Sequence, residues 1–407
     1  MRTSVYLFAS DLIDEGFEAV LDNVAGRGGL GGINMAAAYH HGRDIFPHSP
    51  VRKVRFLEGG TVFFHPEESR YGETLRPVVS SLAADIDPLA RAVEAAGKRS
   101  MEVHAWTVYC HNTRLGSMHP ELTMHNAFGD PYLSDLCPSH PEVQAFARAL
   151  TADVAGHGVQ SILAESLHFG LFLHGHHHER YFIDLGSAAM FLMGLCFCAH
   201  CLDASSTRGV DGNRVRQYVR DELQEIFDGR APTDGAELNE AEVRAMVDGE
   251  MGRYLDTRSE TVTLLTREVT AIARENGARL AFIDPSGAMK GYATGHPTGD
   301  PAPASAWVFG ADLAALGAVA DIEAVAYAAD PGRVQVDLET YRRMLSGDSE
   351  LTAALRPMKP DCDSVENLAS KIRSAAELGV SRIDFYHYGF MPFVILDRIH
   401  QALETAR

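Results

Sequence analysis

The feature that most constrains this chain is an alternation of strand-like and helix-like patterns that repeats eight times. Short β-branched or aromatic runs ending in polar residues fall at 4–10, 32–39, 100–108, 159–165, 279–284, 322–327, 351–356 and 381–386. Between them, apolar residues recur three or four positions apart, the spacing of one helix face. Val143, Phe146, Leu150 and Val154 form one such stripe, opened by Pro141 in the first turn. Another runs from a Ser364 cap through Leu368 and Ile372 to Leu378, where Gly379 stops it, and a last helix is expected over 394–406. Strand then helix, eight times over, predicts an α/β fold of parallel strands closed into a (β/α)8 TIM barrel.

A barrel also accounts for the length. The 407 residues are expected to form a single unit with two insertions. The first, 51–78, follows strand two and alternates on both sides of Glu58-Gly59-Gly60, which predicts a β-hairpin. The second, 194–275, follows strand four and is helical.

Composition removes several partner classes. Apolar residues make up 46% and charged residues 22%, the balance of a packed globular chain. The formal charge of −19 argues against nucleic acid and against an anionic membrane surface. The apolar run before Asp11 is too short for a signal-peptide core or a membrane span, so a cytoplasmic location is expected.

Six cysteines in a chain this long do not make a disulfide framework, and in a reducing compartment a cluster points to metal. Cys196, Cys198 and Cys201 lie within six residues and can converge on one tetrahedral Zn²⁺. The fourth ligand must come from elsewhere. Cys137 is favoured over Cys110, because Cys110 sits near the end of a strand that should line the pocket. The expectation is a structural zinc and no organic cofactor.

In such a barrel the chemistry sits at the carboxyl ends of the strands. His40 follows strand two; His104 and Trp106 lie on strand three, with His111 and Asn112 beyond it. Strand four ends in Glu165 and strand five in Asp284; Lys359 and Asp361 follow strand seven, and Tyr386 and His387 end strand eight. Rings beside imidazoles, amides and carboxylates suit a neutral polyol, whose apolar faces stack and whose hydroxyls need fixed partners. Glu165 and Asp284 are the expected catalytic pair, with His40, His104, Trp106, His111, Asn112, Lys359, Asp361, Tyr386 and His387 binding substrate. The histidine-rich run from His174 to Glu179 has no HExxH form and is expected to be a substrate-facing loop, with His174 reaching the pocket.

A carboxylate ending strand four, a CxCxxC cluster after it and a helix near 215–225 together resemble the barrel domain of family 42 β-galactosidases. The sequence is also similar to glycoside-hydrolase-like barrels in which a CP-x-x-P segment precedes the strand-four carboxylate; Cys137-Pro-Ser-His-Pro141 matches that segment. The motif likeness covers roughly 137–225. It implies an acid/base Glu at position 165 and structural zinc on Cys137, Cys196, Cys198 and Cys201. Two departures stand out: Ala164 occupies the family's Asn position, and strand seven offers Lys359 and Asp361 instead of a nucleophilic Glu. In fucosidase-like relatives the strand-four carboxylate is the nucleophile, so the role of Glu165 stays open.

The sequence therefore predicts a glycoside hydrolase acting on a small glycoside or oligosaccharide, and leaves room for a homo-oligomer. Two alternatives stay in view: a metal-dependent barrel hydrolase or isomerase using the pocket histidines, and a carbohydrate-binding barrel without catalysis.

Overall fold

The computed structural model describes residues 1–173, 179–230, 238–345 and 349–407. Eight parallel strands form a closed ring: β1 (Arg2–Leu7), β2 (Gly32–Tyr39), β3 (Glu102–Val108), β4 (Ser161–Glu165), β5 (Arg279–Asp284), β6 (Asp321–Val325), β7 (Leu351–Leu355) and β8 (Arg382–Phe385). Each pairs with its neighbour in sequence, and β1 pairs with both β8 and β2, which closes the barrel. All eight expected strands are present. They are buried nearly throughout because one face lines the barrel and the other lies under helices.

The helices begin where capping chemistry places them. Asp87 accepts from Ala90 N ahead of Pro88–Gly97. Ser364 accepts from Asn367 N at the start of Val365–Glu377, as the sequence predicts. Pro141–Gly156 packs against the long helix Glu250–Glu275, which returns the chain from β4 to β5. Among the described residues, no helix is long and apolar enough to cross a membrane.

Three excursions shape the carboxyl-end face. After β2, a hairpin pairs Gly42–Ile45 with Val54–Leu57, so the hairpin closes ahead of the Glu58-Gly59-Gly60 turn rather than around it. At Gly60, where φ is +64° and a Cβ would strike Asn112, the chain turns back, and Thr61–Val62 pairs with the end of β2. A second excursion, absent from the sequence expectations, follows β3: the helix Thr113–Met118 and a hairpin of Thr123–His125 against Pro131–Leu136, which delivers Cys137. The third lies between β4 and β5. Helices Gly186–Met193, Ala199–Thr207, Gly212–Phe227 and Glu240–Ala245 build a second hydrophobic cluster around Phe191, Val215, Val219, Leu223 and Tyr254, beside the barrel core.

Candidate functional site

Inward side chains of the barrel form two tiers. The lower one is a buried polar network. Ser4 Oγ lies 2.7 Å from Asn34 Oδ1 and also donates to Asp384. Arg382 Nε reaches Asp384 at 2.8 Å, and its Nη2 lies 3.9 Å from Glu323. Tyr6 donates its hydroxyl to Glu323. Burial, reinforced by the Asp384 charge, pushes the Glu323 carboxyl up to about 8. Burial also raises Asp384, but the Arg382 guanidinium outweighs it and holds that carboxyl below its ordinary value. The network thus contains one carboxylate, one guanidinium and, at neutral pH, one protonated carboxylic acid.

The upper tier is aromatic. The Tyr6 ring packs edge-on against Trp106 at 5.0 Å, and Trp106 meets Tyr39 at 4.6 Å and Tyr386 at 6.0 Å. Over this floor stands Glu165, partly exposed at the tip of β4, accepting a hydrogen bond from the Trp106 indole N–H. Burial raises its carboxyl, and the indole N–H and the nearby His111 act against that rise. The next residue, Ser166, has φ +54°, so the chain turns through the left-handed region directly after the carboxylate, a strain of the kind found at functional sites. His40 stacks on Tyr39 at 4.2 Å and meets His111 edge-on at 4.8 Å; His111 Nδ1 lies 3.4 Å from Asp135. From the hairpin, Asp44 adds a half-buried carboxyl that burial also raises. Burial keeps the phenols of Tyr39 and Tyr386 protonated, and the charges of Glu165 and Asp44 both add to that effect on each ring.

Apart from the mouth, four thiols converge. The Sγ atoms of Cys137, Cys196, Cys198 and Cys201 all lie within 4.8 Å of one another, and all four residues are buried. Cys137 Sγ is 3.5 Å from Cys201, 3.6 Å from Cys198 and 3.8 Å from Cys196. None is in a disulfide. The His125 N–H donates to Cys196 Sγ at 3.3 Å, a contact that favours a thiolate. The group can hold a metal ion, and it pins the hairpin after β3 to the turn that opens Ala199–Thr207.

Solved structures share this architecture. An α-L-fucosidase isoenzyme 2 from Paenibacillus thiaminolyticus superposes with a TM-score of 0.53 at 11% identity, over 99% of this chain and 49% of its own. A β-galactosidase from the psychrophilic Marinomonas ef1 gives 0.57 at 11%, over 99% and 59%. The catalytic domain of a β-amylase from Paenibacillus polymyxa gives 0.56 at 11%, over 100% and 98%. This is a barrel of the kind glycoside hydrolases use. The chain spans about half of the fucosidase and somewhat more of the galactosidase, and nearly all of the β-amylase domain. No protein-family model matches the sequence. No curated protein matches it either.

Of the residues expected from sequence, the mouth brings together His40, Trp106, His111, Glu165, Tyr386 and His387. His387 is sandwiched between Phe8 and Phe390, each at 4.3 Å, and burial holds it neutral. The others lie elsewhere. Asp284 alternates to the outer face of β5, fully buried, where it accepts from Tyr341 and from Ser286 Oγ at 2.7 Å. His104 belongs to the lower tier, bonded to Ser161 Oγ at 2.8 Å and drawn down to about 4 by burial and by Arg382. Asn112 caps the helix Thr113–Met118. Lys359 is exposed. Asp361 grips Arg356 at 2.7 and 2.8 Å, and that guanidinium lies over Tyr327 at 4.4 Å. His174 lies outside the described residues.

Sequence reasoning missed Tyr6, Asp44, Asp135, Glu323, Arg382 and Asp384. One signal was available. Arg382 and Asp384 stand two apart in a strand, hence on one face, and an ionic pair at that spacing in a buried strand must face a polar interior.

Proposed function

We propose that this chain is a glycoside hydrolase acting on a small neutral glycoside or oligosaccharide at the barrel mouth. The observation that carries this is Glu165, fixed by the Trp106 N–H over a floor of rings at the carboxyl end of β4. In place of Asp284, which is turned into the helix layer, Asp44 is the second carboxylate: it bears on the same two phenols as Glu165. One of the two protonates the departing glycosidic oxygen, while the other attacks the anomeric carbon or activates a water. Tyr386, partly exposed and backed by the buried Trp106, stacks the sugar, and His40 and His111 meet its hydroxyls.

The cysteine group is proposed to hold one structural Zn²⁺. A tetrahedral ion with Zn–S bonds of about 2.3 Å places its sulfurs near 3.8 Å apart, and the Cys137 separations of 3.5 to 3.8 Å suit it. Six unpaired thiols fit a reducing cytoplasm.

The test is turnover on a panel of aryl glycosides. Glu165→Gln and Asp44→Asn are each expected to cut kcat by about a hundredfold or more, with melting temperature nearly unchanged. Near-normal turnover in Glu165→Gln would overturn the assignment. Sugar binding by the wild type without turnover on any glycoside would favour a non-catalytic barrel.

A further inference from the structure

A lone buried cation lies beside the four thiols. Arg258 is on the helix Glu250–Glu275, one turn after Tyr254, which donates its hydroxyl to the Cys196 carbonyl at 2.6 Å and stacks on Phe197 at 5.2 Å. Residues four apart share a helix face, so Arg258 stands on the face that meets the cysteine segment. It is only 3% exposed, yet it forms no ion pair among the described residues, and its Nε and Nη1 have no hydrogen-bond partner there. Its contacts are the Val308 carbonyl, 3.5 Å from Nη2, and the face of Phe169, 4.6 Å from the guanidinium carbon. A guanidinium keeps its charge inside a protein, and burying one without an anion is strongly unfavourable. Other buried arginines of this chain meet that cost with a carboxylate: Arg356 has Asp361 and Arg382 has Asp384. Arg258 has none.

We propose that Arg258 is the charge-compensating residue of the four-cysteine group, its guanidinium balancing part of the negative charge that the thiolates carry once a metal ion is bound. The proposal rests on the zinc reading of that group. Four thiolates around one divalent ion leave two negative charges in excess, in a site whose four residues are all buried. Neutral dipoles meet some of this: the His125 N–H points at Cys196 Sγ, and the Ser139 hydroxyl lies 3.3 Å from Cys201 Sγ. His140 and His200, ring to ring at 4.1 Å, are partly exposed, and an imidazole carries no permanent charge at neutral pH. Arg258 supplies one. Burial works against its charged form, and the groups acting in favour of that form are Tyr254, Cys201, Cys196 and Cys137. Tyr254 is held protonated by burial, so among these four the thiols are the source of negative charge. A cation without an anion and an anionic centre without a cation thus offset each other's burial.

The test compares wild type with Arg258→Met, Arg258→Gln and Arg258→Lys. Zinc affinity is read by competition with the chromophoric chelator 4-(2-pyridylazo)resorcinol. Removing the charge in the methionine and glutamine variants should weaken zinc binding by about tenfold or more, the usual effect of losing a group that supports the ligands, while lysine, which keeps the charge, should stay within about threefold of wild type. Glutamine retains hydrogen-bonding capacity, so its grouping with methionine separates charge from hydrogen bonding, and it carries the comparison with lysine where methionine fails to fold. Melting temperature gives a readout that a purely structural role would not reproduce. With zinc bound, Arg258→Met should melt below wild type. With zinc stripped by chelation the thiols take up protons, the guanidinium is left as an unpaired buried charge, and the same variant should melt at or above stripped wild type. Methionine and glutamine variants that hold zinc as tightly as wild type, or a methionine variant that loses as much melting temperature without zinc as with it, overturn the proposal. Elemental analysis of wild type tests the underlying reading separately: a chain that takes up no zinc fails that reading, whereas tight zinc that is indifferent to Arg258 fails only the role of the arginine.

Discussion

Glu323→Gln should make the protein less sensitive to alkali. In the fold, burial and the Asp384 charge move the Glu323 carboxyl from an ordinary 4.5 to about 8. The sign follows from proton counting: between those values the folded chain holds a proton that the unfolded chain has released, so stability falls as pH rises through the window. At about 1.4 kcal/mol per pH unit, wild-type protein loses about 3 kcal/mol from this residue between pH 5.5 and pH 8. Glutamine matches the shape of the protonated acid, still accepts from Tyr6, and cannot ionise. Near pH 5.5 the variant should therefore lie within about 1 kcal/mol of wild type, the worth of an imperfect hydrogen bond beside Arg382. At pH 9 it should be the more stable of the two by several kcal/mol. Urea unfolding of both proteins at pH 5.5, 7 and 9 measures the difference, in which slopes from Asp11 and Asp284, also raised, cancel. A difference that moves by less than about 1 kcal/mol across that range would refute the protonated network.

Cys137→Ser should abolish the proposed zinc site: elemental analysis should find about one zinc per wild-type chain and near none in the variant, with stability lower by more than about 3 kcal/mol. Asp284→Asn should leave kcat within about twofold of wild type, since its partners Tyr341 and Ser286 lie away from the mouth; a hundredfold loss would return Asp284 to the catalytic pair. Tyr341→Phe should cost about 2 kcal/mol in thermal unfolding, the worth of a buried hydrogen bond to a carboxylate, with turnover unchanged. Gly287→Ala would drive a Cβ into the Val325 carbonyl and should cost more than about 3 kcal/mol, seen as a collapse of soluble expression or melting temperature.

The barrel was legible because its signals are local. Each strand run and each cap, such as Ser364, can be recognised within a few residues, and Cys137 could be paired with the cluster by chain order and the exclusion of Cys110. What was lost depended on register. Asp284 ends its strand one position later than the inward Ile283, and that single step turns it from the pocket to the helix layer. His104 faces inward but sits two residues below Trp106, which places it beneath the floor. Asp44 was hidden because the Glu58-Gly59-Gly60 turn looks like the hairpin turn, while the actual pairing of Val54–Leu57 with Gly42–Ile45 brings the aspartate over the mouth.

The tiers also bear on which sugars the mouth can take. An acidic sugar needs a guanidinium or ammonium with donors to spare. Two buried arginines of the barrel, Arg382 and Arg356, are turned to other partners. Arg382 lies below the ring floor and is committed to Asp384 and Glu323. Arg356 gives both faces of its fork to Asp361 and its remaining reach to the carbonyls of Tyr292 and Gly291. Above the floor stand Glu165, Asp44 and Asp135, whose charges repel an anion in a site where burial weakens screening. On the proposed reading, a neutral ring at the mouth meets none of that repulsion and displaces water from around Glu165, which raises that carboxyl further toward the protonated form. On the proposed reading, the carboxyls above the floor, rather than Arg382 and Arg356 beneath and beside it, meet the substrate.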